Sequence, residues 1–239
     1  MSRSKLKLVL GCTPLLAAPF TVSAQDWDWT FTPYLWTAGI DGDVALGALS
    51  RPVDVSFGDL VDVLAGAALM HAEAGRNDYK IFADVTWMSL EPADELATIG
   101  GVAEAKFDTL IFEGGFVREL SSIGIEAGLR YWDFDLEIDP AFAAAVQRQD
   151  DWIDLFVGIR NQQPLGDNWR LTSEANIGAG DSDLTWGVQL VFARELDSGN
   201  AFVTGFKALG VDYSNNNVDG ISFGVDTIFA GATIGFLFD

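Results

Sequence analysis

Few residues of this chain have the types and spacing that catalysis needs. His71 is the only histidine, and Glu73 lies two residues further on, on the same face of an extended segment. A hydrolase triad also needs a serine held beside the histidine, but Ser89 lies near the other end of the predicted hairpin. Zinc sites take three or four nitrogen, sulfur or oxygen ligands, and no second histidine is present. We therefore expect no enzyme activity, no cofactor and no metal site.

Polar and charged side chains recur on one face of the predicted strands. If that face lines an enclosed interior, its charges persist only when they are paired and hydrogen-bonded. We expect a structural network, with a conduction path as the alternative. The predicted network consists of His71, Glu73, Asp84, Glu113, Glu126, Arg130, Asp154, Arg160, Arg170 and Glu174, and the same face carries Lys80, Gln189, Lys207 and Asp226.

Alternating apolar and polar residues predict the strands that would position this network. Ile125 and Leu129, for example, alternate with Glu126 and Arg130, which puts one face of the strand in an apolar medium and the other in a polar one. The pattern predicts an all-β, antiparallel up-and-down transmembrane barrel of about ten strands, with eight or twelve as alternatives. A soluble β-domain has a similar pattern. The predicted strands are residues 27–40, 64–75, 79–90, 102–118, 123–136, 151–161, 169–178, 184–195, 201–213 and 223–238.

The connections between these strands alternate in length. Short turns are predicted at residues 76–78, 118–122, 162–168 and 196–200, and longer loops at 41–63, 91–101, 137–150 and 214–222, with a short exception at 179–183. Outer-membrane barrels have short periplasmic turns and longer external loops. Both termini should then lie in the periplasm. An extra hairpin within residues 44–57 would raise the strand number.

Aromatic residues cluster near the predicted strand ends. Outer-membrane barrels carry girdles of such rings where the bilayer meets water. The alternative is the aromatic core of a soluble β-domain. The predicted girdle includes Trp27, Trp29, Trp87, Trp132, Trp169, Trp186 and Phe238.

The first 24 residues have the features of a secretory signal peptide. A basic start is followed by an apolar stretch at residues 8–20 and by small residues that end at Ala24. We expect cleavage before Gln25, which leaves residues 25–239 as one barrel domain. Lipidation at Cys12 is the less favoured alternative. Because Cys12 is the only cysteine, the exported domain would contain none.

The chain is strongly acidic. Its 35 Asp and Glu residues exceed its 14 Lys and Arg residues, for a net charge of −21. This balance argues against nucleic acid as a partner. Acidic residues in the predicted outer loops suggest divalent cations as ligands, although no loop has the pattern of an EF-hand. Mean hydropathy is +0.20, and beyond the leader no apolar run has the length of a transmembrane helix.

Five sequence blocks carry a family resemblance. They are TPYLW at residues 32–36, RPVDVSFGDLVDVL at 51–64, GLRYWDFDLEI at 128–138, DDWIDLFVGIR at 150–160 and SDLTWGVQLVF at 182–192. In these blocks and their order, the chain resembles a group of largely uncharacterised Gram-negative outer-membrane β-barrel proteins. The resemblance implies a fold and a location but no particular chemistry. Such chains usually end on an aromatic residue, whereas Asp239 follows Phe238 here.

These observations together predict an integral outer-membrane barrel with a structural or surface-contact role. A narrow porin-like channel for small cationic solutes is the alternative, and a lipid-modifying enzyme is a further one. The expected partners are outer-membrane lipid, lipopolysaccharide and the barrel-assembly machinery. The sequence does not determine an oligomeric state.

Overall fold

The computed structural model describes residues 27–46, 49–90, 102–121, 123–140, 146–215 and 222–239. The predicted leader at residues 1–24 lies outside these ranges. The elements in chain order are β1 (Asp28–Trp36), β2 (Gly39–Leu46), β3 (Leu49–Val55), α1 (Phe57–Val63), β4 (Leu64–Arg76), β5 (Tyr79–Leu90), β6 (Val102–Leu120), β7 (Ile123–Pro140), β8 (Val146–Pro164), β9 (Trp169–Gly180), β10 (Leu184–Glu195), β11 (Ala201–Asn215) and β12 (Phe223–Leu237).

Ten strands close into an antiparallel barrel. Strands β4 to β12 pair with one another in chain order, and β1 closes the ring by pairing with both β4 and β12. The backbone bridge between Phe31 and Phe238 extends the closing ladder. The predicted ten-stranded up-and-down barrel is therefore confirmed.

Strands β2 and β3 form an additional hairpin. Strand β2 continues the line of β1 along β12 after a break at Thr37 and Ala38, where Ala232 N donates to Thr37 Oγ1 at 3.0 Å. The prediction of one long loop at residues 41–63 is thus wrong, because Ile40 and Val44 pack against the interior apolar cluster and draw this segment into the sheet. The alternative of an extra hairpin within residues 44–57 is close to the observed structure.

Helix α1 connects the hairpin to β4. Ser56 caps it: the Ser56 hydroxyl accepts from Asp59 N at 3.4 Å, and Ser56 N donates back to the Asp59 carboxylate at 3.2 Å. Leu60 is buried, whereas Phe57 and Val61 are exposed. None of the helices in the described part of the chain is long and apolar enough to cross a bilayer.

The two ends of the barrel differ in their connections. At one end the strands are joined by tight turns such as Asn77–Asp78, where Asn77 has a φ of 54°, a conformation that asparagine tolerates better than most residues. Both described chain ends, at residues 27 and 239, lie at this end. At the other end, β7 and β8 remain paired up to Ile138 and Val146. The predicted loop at 137–150 is therefore largely strand, since pairing satisfies its backbone groups.

The barrel has a polar interior and an apolar exterior. Arg130 and Asp154 are fully buried, while Leu155 and Val157 are 68% and 60% exposed. On β8 the even-numbered residues from Asp150 to Phe156 are buried and the odd-numbered ones are exposed. A soluble β-domain has the opposite arrangement, because it buries its apolar face.

An apolar cluster fills the interior near the end with the long strands. Trp132, Phe134 and Trp152 stack on one another with ring centroids 5.2 to 5.9 Å apart, and Trp152 lies 3.9 Å from the Tyr213 ring. This cluster, here called the aromatic plug, consists of Ile111, Trp132, Phe134, Trp152, Leu209, Val211, Tyr213, Phe223, Val225 and Phe229. Most of the buried charged residues lie below it, toward the tight turns, while the buried pair Arg148–Asp150 lies on its outer side.

Candidate functional site: the charged interior

Arg130 occupies the centre of the charged interior. It lies on β7 directly opposite Glu113 of β6, and its Nε and Nη2 atoms donate to Glu113 Oε1 at 3.0 and 2.6 Å. Nη1 donates to Thr185 Oγ1 at 2.6 Å, and Nη2 also donates to Asn176 Oδ1 at 2.9 Å. Side chains from β6, β9 and β10 thus satisfy one buried guanidinium, as burial of a charge requires.

Lys207 of β11 joins this pair to a second carboxylate. Its Nζ lies 3.2 Å from Glu113 Oε2 and 3.0 Å from Asp84 Oδ1. The Tyr34 hydroxyl donates to the same Asp84 oxygen at 2.8 Å, and His71 Nδ1 lies 3.2 Å from Asp84 Oδ2. These contacts link β1, β4, β5, β6 and β11 across the barrel interior.

A second group of charges lies closer to the tight turns. Arg160 Nη1 donates to Glu73, and Lys80 Nζ lies 3.1 Å from the other Glu73 oxygen. Arg160 Nε lies 3.9 Å from Glu174, and Lys80 Nζ donates to Gln162 at 3.4 Å. Glu73 therefore joins a cation from the neighbouring strand β5 to a cation from β8.

Two glycines create the space that these long side chains occupy. A Cβ at Gly187 would lie 2.9 Å from Asn176 Oδ1 and 3.1 Å from Arg130 Nη2. A Cβ at Gly158 would lie 2.4 Å from Glu126 Oε1, the atom that accepts from Asn176 Nδ2 at 3.2 Å. The network thus depends on positions without side chains as well as on charged ones.

Three of the residues placed on the polar face by sequence make none of the contacts described above. Asp154 is buried directly opposite Arg130 in register, and its Oδ1 accepts from Ser182 N at 3.0 Å. Arg170 pairs with Glu195 at 3.1 Å near the tight turns, and both are exposed to solvent. The placement of Asp226 on the polar face is wrong: it points outward, because its position in β12 alternates with the buried Val225 and Thr227.

A cavity of about 360 Å³ lies between the charged interior and the tight turns. His71, Glu73, Lys80 and Arg160 line one side of it, and Val191, Ala193, Val203 and Leu237 line the opposite side. The cavity opens toward the end that carries the termini. The aromatic plug closes the interior on the other side, so the cavity is a vestibule and not a passage.

His71 has no catalytic arrangement in this interior. Its Nδ1 faces Asp84 and not Glu73, which is occupied by Lys80 and Arg160. Ser89 pairs in register with Gly66, five positions along β4 from His71. Among the described residues, no group of three or more His, Cys, Asp and Glu side chains is placed to hold a metal ion.

Most of the predicted girdle residues lie on the outside of the barrel. Trp29, Trp87, Trp169 and Phe238 are exposed. Trp27 and Trp186 are half-buried. The Trp186 ring lies over Gly210, and a Cβ added to Gly210 would lie 2.2 Å from Trp186 Nε1. The assignment of Trp132 to the girdle is wrong: it is fully buried in the plug because it shares the inward face of Arg130.

Carboxylates face outward above the apolar exterior, at the end with the long strands. Asp133 lies directly opposite Asp151, and Asp226 lies between Asp43 and Asp212 in register. Like charges in directly opposite positions destabilise a sheet. We call these five residues the acidic rim; of them, Asp43 lies in a segment that the sequence predicted as a loop.

Sequence reasoning missed the neutral members of the network. The Tyr34 hydroxyl donates to Asp84, and Thr185 and Asn176 accept from Arg130. Strand parity offers a signal for Thr185 and Asn176, since both alternate with outward apolar residues. Lys207 was placed on the polar face but not in the predicted network, although it bridges two of its carboxylates.

Comparisons with known proteins give matches among solved structures alone. No family model and no curated protein matches the chain. The chain is similar to Ail, the attachment invasion locus protein of Yersinia pestis (9% identity, TM-score 0.42, 89% of this chain and 99% of that chain). It is also similar to the β domain of the Bordetella autotransporter BrkA (10%, 0.40, 90% and 99%) and to the translocator domain of the autotransporter NalP from Neisseria meningitidis (10%, 0.40, 88% and 88%). At such low identity, the similarity concerns the fold alone.

Proposed function

We propose that this chain is a non-conducting, non-enzymatic barrel of the Gram-negative outer membrane, with a structural or surface-contact role. One observation carries the proposal: large aliphatic side chains are exposed on the outside, while charged side chains are buried inside. Leu155 and Val157 are exposed to 68% and 60%, whereas Arg130 and Glu126 are exposed to 0% and 1%. In water this exterior would cause aggregation, but in lipid it is the stable arrangement.

The orientation follows from the two ends of the barrel. Tight turns and both described chain ends, at residues 27 and 239, lie at one end, which is the periplasmic end in barrels of this type. The long strands and the acidic rim then face outward. The vestibule opens to the periplasm, and the aromatic plug separates it from the external medium.

The plug supports a structural role over transport. Trp132 and Trp152 are almost fully buried, and they contact rings from β11 and β12 at the height of the outer leaflet. Trp152 stacks on Tyr213 at 3.9 Å, and the Trp132 and Phe229 ring centroids are 6.3 Å apart. Barrels of about eight strands are filled by side chains, while open channels appear at about 16 to 18 strands. A ten-stranded barrel with this filling holds its shape without a continuous aqueous path.

The acidic rim supports contact with outer-leaflet lipopolysaccharide through divalent cations. Pairs such as Asp133 with Asp151 place two carboxylates side by side, and Ca²⁺ and Mg²⁺ prefer oxygen ligands. A bridging cation would relieve the repulsion within each pair and bind a lipid phosphate at the same time. Removal of divalent cations with EDTA should lower the unfolding temperature in lipopolysaccharide-containing vesicles, and calcium should restore it.

Cysteine labelling tests location and orientation together. The chain offers Gln149 at the outer end of β8 and Asp197 in a tight turn, both exposed. On intact cells, an impermeant thiol reagent should label Gln149→Cys, while Asp197→Cys should react only after the outer membrane is permeabilised. The reverse result would invert the orientation. Recovery of the protein in the soluble fraction without detergent would refute the membrane location.

A further inference from the structure

The barrel wall contains a gap between β1 and β4. The two strands pair from Asp28 opposite Gly75 to Pro33 opposite Met70, and Pro33 has no N–H with which to extend the ladder. Beyond this point, within the described residues, Leu64 to Leu69 of β4 pair with β5 alone. Tyr34, Leu35 and Trp36 pair with β12 alone. Two neighbouring strands thus separate on the outer side of Pro33.

Helix α1 closes the gap at its outer side. A Cβ at Gly39 would lie 3.0 Å from Val55 O and 3.8 Å from Phe57 N, so the helix begins beside the continuation of β1. It ends at Val63, where β4 starts. The opening is therefore a triangle bounded by residues 34–38, α1 and residues 64–69. Six strand residues give it a height of about 20 Å, and a seven-residue helix gives it a width of about 10 Å. We call this opening the window.

The part of β4 that borders the window is more exposed than the part that pairs with β1. Ala67 shares the inward face of His71 and Glu73, yet it is exposed, as is the outward Ala68. Fully paired strands differ: on β8, the inward residues Trp152 and Asp154 are buried. Open space therefore lies on both sides of the wall at the window.

The border of the window is mostly apolar and continuous with the apolar exterior of the barrel. Its exposed apolar side chains are Leu35, Phe57, Val61, Leu64 and Met70. The exposed carboxylates Asp59 and Asp62 lie on α1, at the outer edge of the window. On the inner side, the half-buried Trp36 packs against the plug, and its Nε1 donates to Lys207 O at 3.1 Å. A molecule that entered here would meet apolar surface from the bilayer to the plug.

We propose that the window admits one acyl chain from a lipid of the outer leaflet. This inference rests on the proposed membrane location. Lipid surrounds the apolar exterior of which the window is a part, so an acyl chain is the apolar group present there at the highest concentration. Backbone groups at the border that lack a partner among the described residues require one in an apolar medium. Lipid carbonyl oxygens and interfacial water near α1 supply acceptors and donors for them.

Photo-crosslinking at three positions tests this proposal. In each of three variants, benzoylphenylalanine replaces one residue. Ala67 faces inward at the window, and Leu155 faces outward. Thr172 lines the vestibule on β9, which is paired with a strand on both sides. In outer-membrane vesicles, lipid adducts should form at positions 67 and 155 but not at position 172.

The pattern of adducts separates the two proposals. Adducts at 155 without adducts at 67 would overturn the window proposal and leave the membrane barrel intact. The absence of adducts at 155 would contradict the membrane location itself. Adducts at 172 equal to those at 67 would show that lipid enters from the vestibule, which also overturns the window.

Tryptophan quenching provides a second test with smaller substitutions. In vesicles of lipids with brominated chains, Trp36→Phe should lower the fraction of tryptophan emission that is quenched, since Trp36 borders the window. Trp152→Phe should raise that fraction, because Trp152 is stacked within the plug and contributes unquenched emission. An increase for Trp36→Phe as well would show that no acyl chain reaches Trp36, and would overturn the proposal.

Discussion

Replacement of Arg130 by methionine tests the charged interior most sharply. Arg130 is fully buried and donates to Glu113, Thr185 and Asn176. Methionine retains much of the volume but leaves Glu113 with Lys207 as its remaining cation, at 3.2 Å. Loss of one partner from a buried ion pair costs about 3–5 kcal/mol of unfolding free energy. Because Lys207 is retained, we expect a loss of about 3 kcal/mol.

Arg118→Met is the matched control. Arg118 is 39% exposed and lies 3.8 Å from an even more exposed Asp78. Such surface pairs contribute about 0–1 kcal/mol. The free energies of unfolding are measured by urea titration of the protein in lipid vesicles. The addition of Glu113→Leu to Arg130→Met should cost less than the sum of the two single effects, because the Arg130–Glu113 interaction that both substitutions remove is lost only once. Equal losses for Arg130→Met and Arg118→Met would show that Arg130 is solvated.

Three further predictions concern other parts of the chain. Trp152→Ala should lower the free energy of unfolding by about 3–5 kcal/mol, since it leaves a cavity in the plug; an unchanged urea midpoint would contradict this packing. Gly187→Ala should destabilise the barrel more than Gly224→Ala, because its Cβ would crowd Asn176 and Arg130, while at Gly224 the nearest atom is 3.5 Å away; thermal unfolding in detergent compares the two. Export should leave Gln25 as the first residue, which intact-mass measurement checks; a lipid on Cys12 would reverse that expectation.

The barrel and most of its strands follow from local sequence. Each strand alternates two kinds of side chain, and the register of a hairpin is fixed by its turn, as at Asn77–Asp78. The predicted strand at residues 184–195 coincides with β10. The same alternation placed Arg130 and Glu113 on the inner face, although their partners come from strands far apart in the chain.

What the sequence did not reveal depends on the tertiary arrangement. The sequence around Ile40 and Val44 has too few apolar residues to indicate a hairpin and not a loop. This segment forms a hairpin because Ile40 and Val44 pack against the plug. Trp132 is of a residue type that is common in aromatic girdles, but its position in β7 directs it inward. Tyr34 belongs to the network because Asp84 and Lys207 meet it from across the barrel.

Ion conductance in a planar bilayer tests the central claim most directly, that a plugged barrel spans the outer membrane. The purified protein should insert without a large, steady ion current, because Trp132, Phe134 and Trp152 fill the interior. A Trp132→Ser/Trp152→Ser variant serves as the control for insertion, since the loss of both rings should admit a current that the acidic rim makes cation-preferring. Large, steady openings of the unaltered protein would contradict the account.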